Sequence, residues 1–214
     1  MLITLLIRKS RVIILKKINN ALIFIVSLIS ICFFVRDFNI GKTDRLLSDI
    51  TVTLVLLIPK IVNKLFKDKI NSEMEFIYIV FIILAHFLGS VVNLYKYIWW
   101  YDLFAHFLSG ILTGILALII MNWFKVYNDK NRLFNIIFII SFTLMIASFW
   151  EFLEYGADTF LNMNVQHSIE TGVSDTMDDM LIANLGSFIV SFIYLIECKF
   201  LNNGFIKKTV SNLK

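Results

Sequence analysis

Proline and cysteine are nearly missing from this 214-residue chain, with Pro59 alone and only Cys32 and Cys198. The two cysteines lie in the first and last apolar runs and form no redox motif and no Cys-based zinc pattern. On the topology argued below they sit at opposite ends of their helices, so no mutual disulfide is expected. No internal repeat, low-complexity tract or soluble domain stands out. A basic domain is also lacking. Lys and Arg outnumber acids by 20 to 16, yet they flank apolar runs, which excludes a nucleic-acid-binding protein and makes them topology signals. What is present is apolar: 58% hydrophobic residues, 21 Phe and a mean hydropathy of +0.79. Those values lie far from soluble-protein averages and define an integral membrane protein.

A membrane span needs roughly 20 mostly apolar residues to cross about 30 Å of hydrocarbon. Six segments qualify: 18–35, 46–62, 76–95, 99–121, 133–155 and 175–197. The second is the weakest, because TVTLVLLIPKIV carries Pro59 and Lys60 near its end; both are tolerable close to the interface. Counted by alternating loops, sixteen of the twenty Lys and Arg fall on the side that holds both termini, against four on the other. That bias predicts an all-α bundle of six transmembrane helices with N- and C-termini cytoplasmic. Residues 1–20 then form a basic cytoplasmic or interfacial segment, 21–197 a single polytopic membrane domain and 198–214 a basic cytoplasmic tail. MLITLLIRKSRVIILKKINN has its charges after a short apolar stretch, so no cleavable signal peptide is expected. Trp99, Trp100 and Tyr101, with Tyr95 and Tyr97, fall where an outer aromatic belt belongs, and Trp123 with Tyr127 mark the inner one.

With this topology the polar residues of three spans reach one membrane face. WWYDLFAHFLSG opens the fourth span, where Asp102, His106, Ser109 and Thr113 follow i, i+4, i+7, i+11 and form one polar stripe. Glu151, Glu154, Tyr155 and, if the fifth helix continues, Asp158 share a face; Asp175, Asp178 and Asp179 share another in the first turns of the sixth. In the third span His86, Gly89, Ser90 and Asn93 repeat the pattern and aim a second histidine at the same half. Eight of the sixteen acids lie in this outer district, Glu170 among them, with Lys96 as the only base.

Two carboxylates about 4 Å apart repel by roughly 4 kcal/mol at an effective dielectric near 20, so a converging set needs protons or a cation. Carboxylates with an imidazole suit a divalent metal such as Zn, Mn or Mg, drawn from Asp102, His106, Glu151, Asp175 and Asp179, with Glu154 beside them. The alternative is a proton relay between these acids and His106. Blander roles stand beside both: His86 as a hydrogen-bonded packing residue, Asp175 as a helix N-terminal cap, Asp178 or Asp179 facing water, His167 on a loop surface. Gly110 and Gly114 form a GxxxG that reads as close helix packing and not as a phosphate loop.

NLYKYIWWYDLFAHFLSG, then WEFLEYGADTF, NVQ and GVSDTMDDM with Gly186 after it, resemble the YjdF-like family of bacterial inner-membrane proteins, a domain of unknown function, over roughly residues 50–195. The resemblance implies a multi-helix membrane fold with motif positions Asp102, His106, Ser109, Glu151, Glu154, Asp158, Gln166, Asp175 and Asp179. It brings no established reaction. VanZ-like proteins resemble the chain more loosely. Here Asp179 and Asn184 are five apart and the associated arginine is absent, so no glycopeptide-resistance role is carried over.

Three readings follow. One is a metal-dependent enzyme acting at the outer leaflet on a lipid or lipid-linked substrate, with Asp102, His106, Glu151, Glu154, Asp175 and Asp179 in its machinery. Another is a small proton- or cation-coupled transporter, for which six helices suffice in a homo-oligomer. The third is a structural partner in an envelope complex, its acids clasping helices together. Membrane lipids are the expected surroundings, and Ile, Asn, Lys and Phe richness suggests a bacterial, AT-rich source.

Overall fold

The computed structural model describes residues 2–42, 45–66, 70–161, 172–201, 204, 206 and 210, with side chains from residue 9 onward. Helix accounts for 87% of the structure, with no strand among the described residues. Six segments are long and apolar enough to cross a membrane: Lys9–Asn39, Leu46–Phe66, Ser72–Val91, Tyr101–Trp123, Arg132–Leu161 and Ser174–Phe200. They correspond one to one with the six runs in the sequence. The chain divides into two compact units, Met1–Tyr101 and Asp102–Lys214.

In the first unit, α1 (Leu2–Asn39) extends well beyond the predicted 18–35, because the basic N-terminal residues are good helix formers and continue the span without a break. It ends in a Schellman motif: Gly41 takes φ +70°, its N–H reaches the Phe38 carbonyl at 3.2 Å and the Lys42 N–H reaches the Asp37 carbonyl at 2.9 Å. The second span is two helices, α2 (Leu46–Leu56) and α3 (Ile58–Phe66). Pro59 has no N–H to continue α2 and fits the first turn of α3, so the chain bends at Leu57. In the third span α4 (Ser72–Ile82), capped by the Asn71 side chain on the Glu73 and Met74 N–H groups, passes into a π-helix over Ile83–Val91. The wider turn frees carbonyls, and two tyrosines take them: Tyr101 donates to Leu84 O at 2.8 Å and Tyr95 to Ala85 O at 2.7 Å. Asn93 follows in the left-handed region at φ 74° and α5 (Leu94–Tyr97) is a single turn. The predicted α-helical stripe through His86, Gly89, Ser90 and Asn93 is thereby replaced. Ile23, Val52, Leu56, Ile79 and Phe87 centre the apolar core of this unit.

The second unit is built on α6 (Tyr101–Trp123), α7 (Arg132–Leu161) and α8 (Ser174–Phe200). Glycines set the approach of α6 to α8. A Cβ at Gly110 would overlap the Ala183 carbonyl, and one at Gly186 would press on the backbone of Phe107 and Ile111. Such contact between backbones is the main way apolar helices associate in lipid, where no hydrophobic force separates helix from solvent. A Cβ at Gly114 would come within 3.2 to 3.4 Å of the Val190 and Ile139 side chains, so the GxxxG serves packing as predicted. Below this crossing Ala117, Leu118, Met121, Ile139, Val190 and Tyr194 form a fully buried layer, joined by Ile206 and Val210 of the C-terminal segment. Asn135 ties the far end together, donating to Tyr194 Oη at 2.6 Å and to Asn128 O at 3.0 Å. Tyr127, beyond the spans, donates to Asp129; burial first and that hydrogen bond second push its phenol above the ordinary range, so it stays a donor.

Candidate functional site

The site lies in the second unit at the end where α6 and α8 begin and α7 finishes. Asp102 and His106 are one turn apart on α6, so their side chains stack on one face. Asp179, one turn into α8, meets them because the Gly110–Ala183 contact fixes the register: His106 faces Asp179, and four residues further along each helix Gly110 faces Ala183. The two helices therefore run in the same direction. His106 Nε2 is 3.6 Å from Asp102 Oδ1 and 3.7 Å from Asp179 Oδ2, and one donor atom from each residue lies within 4.8 Å of the others. These separations are too long for hydrogen bonds. They do match a shared cation, because a tetrahedral ion with bonds of about 2.1 Å holds its ligand atoms about 3.4 Å apart.

Burial sharpens the point. His106 is 7% exposed and Asp179 2%, while Asp102 is half-buried. Asp179 Oδ1 has no hydrogen-bond partner among the described residues. A buried carboxylate oxygen left this way is costly, and a proton or a cation relieves it. Asp179 also lies in the field of Asp102, Asp175, Glu151 and Asp178. Two carboxylate oxygens at the observed range repel by roughly 3 to 4 kcal/mol at an effective dielectric of 20.

Around this triad the predicted residues divide. Glu151, 4% exposed, faces inward from α7, near the Thr176 hydroxyl, and interacts electrostatically with Asp102 and Asp175. Glu154 accepts from the Trp150 indole N–H at 2.6 Å and lies within electrostatic reach of Glu151, Asp102 and Asp179. The fifth helix does continue, carrying half-buried Asp158 one turn further. Asp175 sits in the first turn of α8, half-buried, and Asp178 is exposed. Ser109 turns its hydroxyl onto the His106 carbonyl at 2.8 Å, and Thr113 onto the Ser109 carbonyl and the Thr143 hydroxyl, so both act as helix-packing groups. His86 belongs to the first unit, where Nε2 and the Thr51 hydroxyl are 2.9 Å apart. Gln166, with His167 and Glu170, lies outside the described residues. Sequence reasoning passed over Thr176 and Trp150. The i, i+4 spacing of Trp150 to Glu154 was the available signal for one, and the D-T-M-x-D block for the other.

Fold and site together define a polytopic α-helical membrane protein with a buried His–carboxylate cluster at one end of its second unit. Over residues 4–199 the chain matches the family described as "Predicted membrane protein (DUF2238)", and it belongs to that family, which is the YjdF-like one. No curated protein and no solved structure matches it.

Proposed function

We propose that the second unit binds one divalent cation between Asp102, His106 and Asp179 and hydrolyses an ester bond of a lipid or lipid-linked substrate at the outer face of a bacterial cytoplasmic membrane. The observation that carries this reading is the donor set itself: three ligand atoms from two helices at metal-bridging separations, with the second oxygen of Asp179 buried and without a partner among the described residues. A cation there would polarise the scissile bond and acidify a bound water. Glu151, beside the cluster and near Thr176, would take the proton of that water and return it to the departing alcohol, so that ester and water become acid and alcohol.

Support for an enzyme over a transporter comes from the layer beneath the site. Below the Thr113–Thr143 hydrogen bond, Ala117, Leu118, Met121, Ile139 and Val190 are packed to 2% exposure or less, which favours a site served from one end. The test is elemental analysis of the purified full-length protein. About one Zn, Mn or a similar ion per chain is expected, falling at least tenfold in Asp179→Asn and His106→Ala. A metal-free wild type that stays metal-free after incubation with these ions sinks the proposal.

A further inference from the structure

The charge of the second unit is segregated. Lys and Arg are absent from residues 97–124 and again from 133–198, and the bases of this unit fall at 125–132 and from Lys199 onward. The end that carries the cluster has acids from all three helices: Asp102 on α6, Glu151, Glu154 and Asp158 on α7, Asp175, Asp178 and Asp179 on α8. A single divalent cation offsets only two of these charges. At that end of the unit the sequence supplies no Lys or Arg to receive a headgroup with net negative charge, whereas an ammonium would be attracted. The α7 helix shows where. Trp150, Glu154 and Asp158 recur every fourth residue and form a row along one face, leading away from the cluster. The Trp150 indole is 48% exposed, and its N–H fixes the Glu154 carboxylate beside the ring. An aromatic face next to an oriented carboxylate is the donor set that takes alkylammonium groups. Asp179, almost fully buried with an oxygen unpartnered among the described residues, indicates that the acids serve a ligand and are not only a solvated surface.

We infer that the substrate headgroup carries an ammonium, bound between Trp150 and Glu154, so that the enzyme takes amine-bearing zwitterionic lipids and rejects anionic ones. This rests on the metal-site reading, and the two fail separately. The full-length protein is loaded with Zn, reconstituted in nanodiscs of equal phosphatidylethanolamine and phosphatidylglycerol, and analysed by native mass spectrometry for lipid retained per chain, with metal content measured on the same sample. At least tenfold preference for phosphatidylethanolamine is expected, reduced several-fold by Glu154→Gln and by Trp150→Leu with metal content unchanged. Equal retention, or retention of phosphatidylglycerol, by metal-loaded protein overturns the headgroup assignment alone, as does an undiminished preference in Glu154→Gln. A preference without any metal overturns the metal reading instead. Free ethanolamine at millimolar concentration is the third arm: if it binds as well as the lipid does, the ligand is a soluble amine and the lipid assignment falls.

Discussion

Gly110 on α6 and Ala183 on α8 touch backbone to backbone, one helical turn along both helices from His106 and Asp179. The contact sets how far apart the two site residues stand. Filling it pushes the helices apart at the position that aligns the cluster. Gly110→Val is expected to lose the metal and to destabilise the protein by about 1 to 3 kcal/mol, the usual cost of overpacking a dense interior. Gly156 is the matched control, since a Cβ there meets nothing within 4 Å. Gly156→Ala removes a flexible residue from the last two turns of α7 and is expected to stabilise by about 0.5 to 1 kcal/mol with metal content intact. Thermal melts in detergent and elemental analysis read both.

Metal retention should fall with pH. Protons compete for the same lone pairs on His106, Asp102 and Asp179 that a cation needs, so lowering pH releases metal and raising it restores binding. Dialysis of loaded protein at pH 5 and at pH 7.5 measures the difference. A cluster whose metal content does not change across that range is not a site made of these three residues.

His86 gives the opposite expectation. Its ring is bonded to Thr51 inside the first unit, linking α2 to the π-helix. His86→Ala is expected to cost about 1 kcal/mol through loss of that bond, since the Thr51 hydroxyl keeps its bond to the Leu47 carbonyl at 2.8 Å, and to leave metal stoichiometry at the wild-type value. Loss of bound metal in this variant would move His86 into the site.

The six spans were legible because length and hydropathy alone decide whether a segment suits hydrocarbon. Their ends were less so. Nothing in the hydropathy of 1–20 marks the helix as continuous with the span, and the π-turn at Ile83–Val91 depends on hydroxyls from Tyr95 and Tyr101 that satisfy its carbonyls from further along the chain. The Asp102–His106 pair could be read from i, i+4 spacing. That Asp179 and not Asp175 or Asp178 completes it could not, because the choice is made by which turn of α8 lies level with His106. The only trace of that choice is the small residues Gly110, Ala183 and Gly186.

Direction of the helices leads to the last expectation. His106 pairs with Asp179 and Gly110 with Ala183 in ascending order on both helices, so α6 and α8 run parallel, with α7 running the opposite way: Thr143 meets Thr113, while Glu151, further along α7, lies near Thr176 at the start of α8. The second unit thus has three segments long and apolar enough to cross a membrane, alternating in direction, and Lys9–Asn39, Leu46–Phe66 and Ser72–Val91 are three more of that length. Six crossings would return the C-terminus to the side of the N-terminus, and the Lys and Arg count predicts that this side is cytoplasmic. Green fluorescent protein fused after Lys214 is therefore expected to fluoresce in a bacterial host. Alkaline phosphatase inserted after Gly172, between α7 and α8, is expected to be active, which requires export. A dark C-terminal fusion together with an inactive phosphatase would invert the orientation and carry the Asp102–His106–Asp179 cluster to the cytoplasmic leaflet.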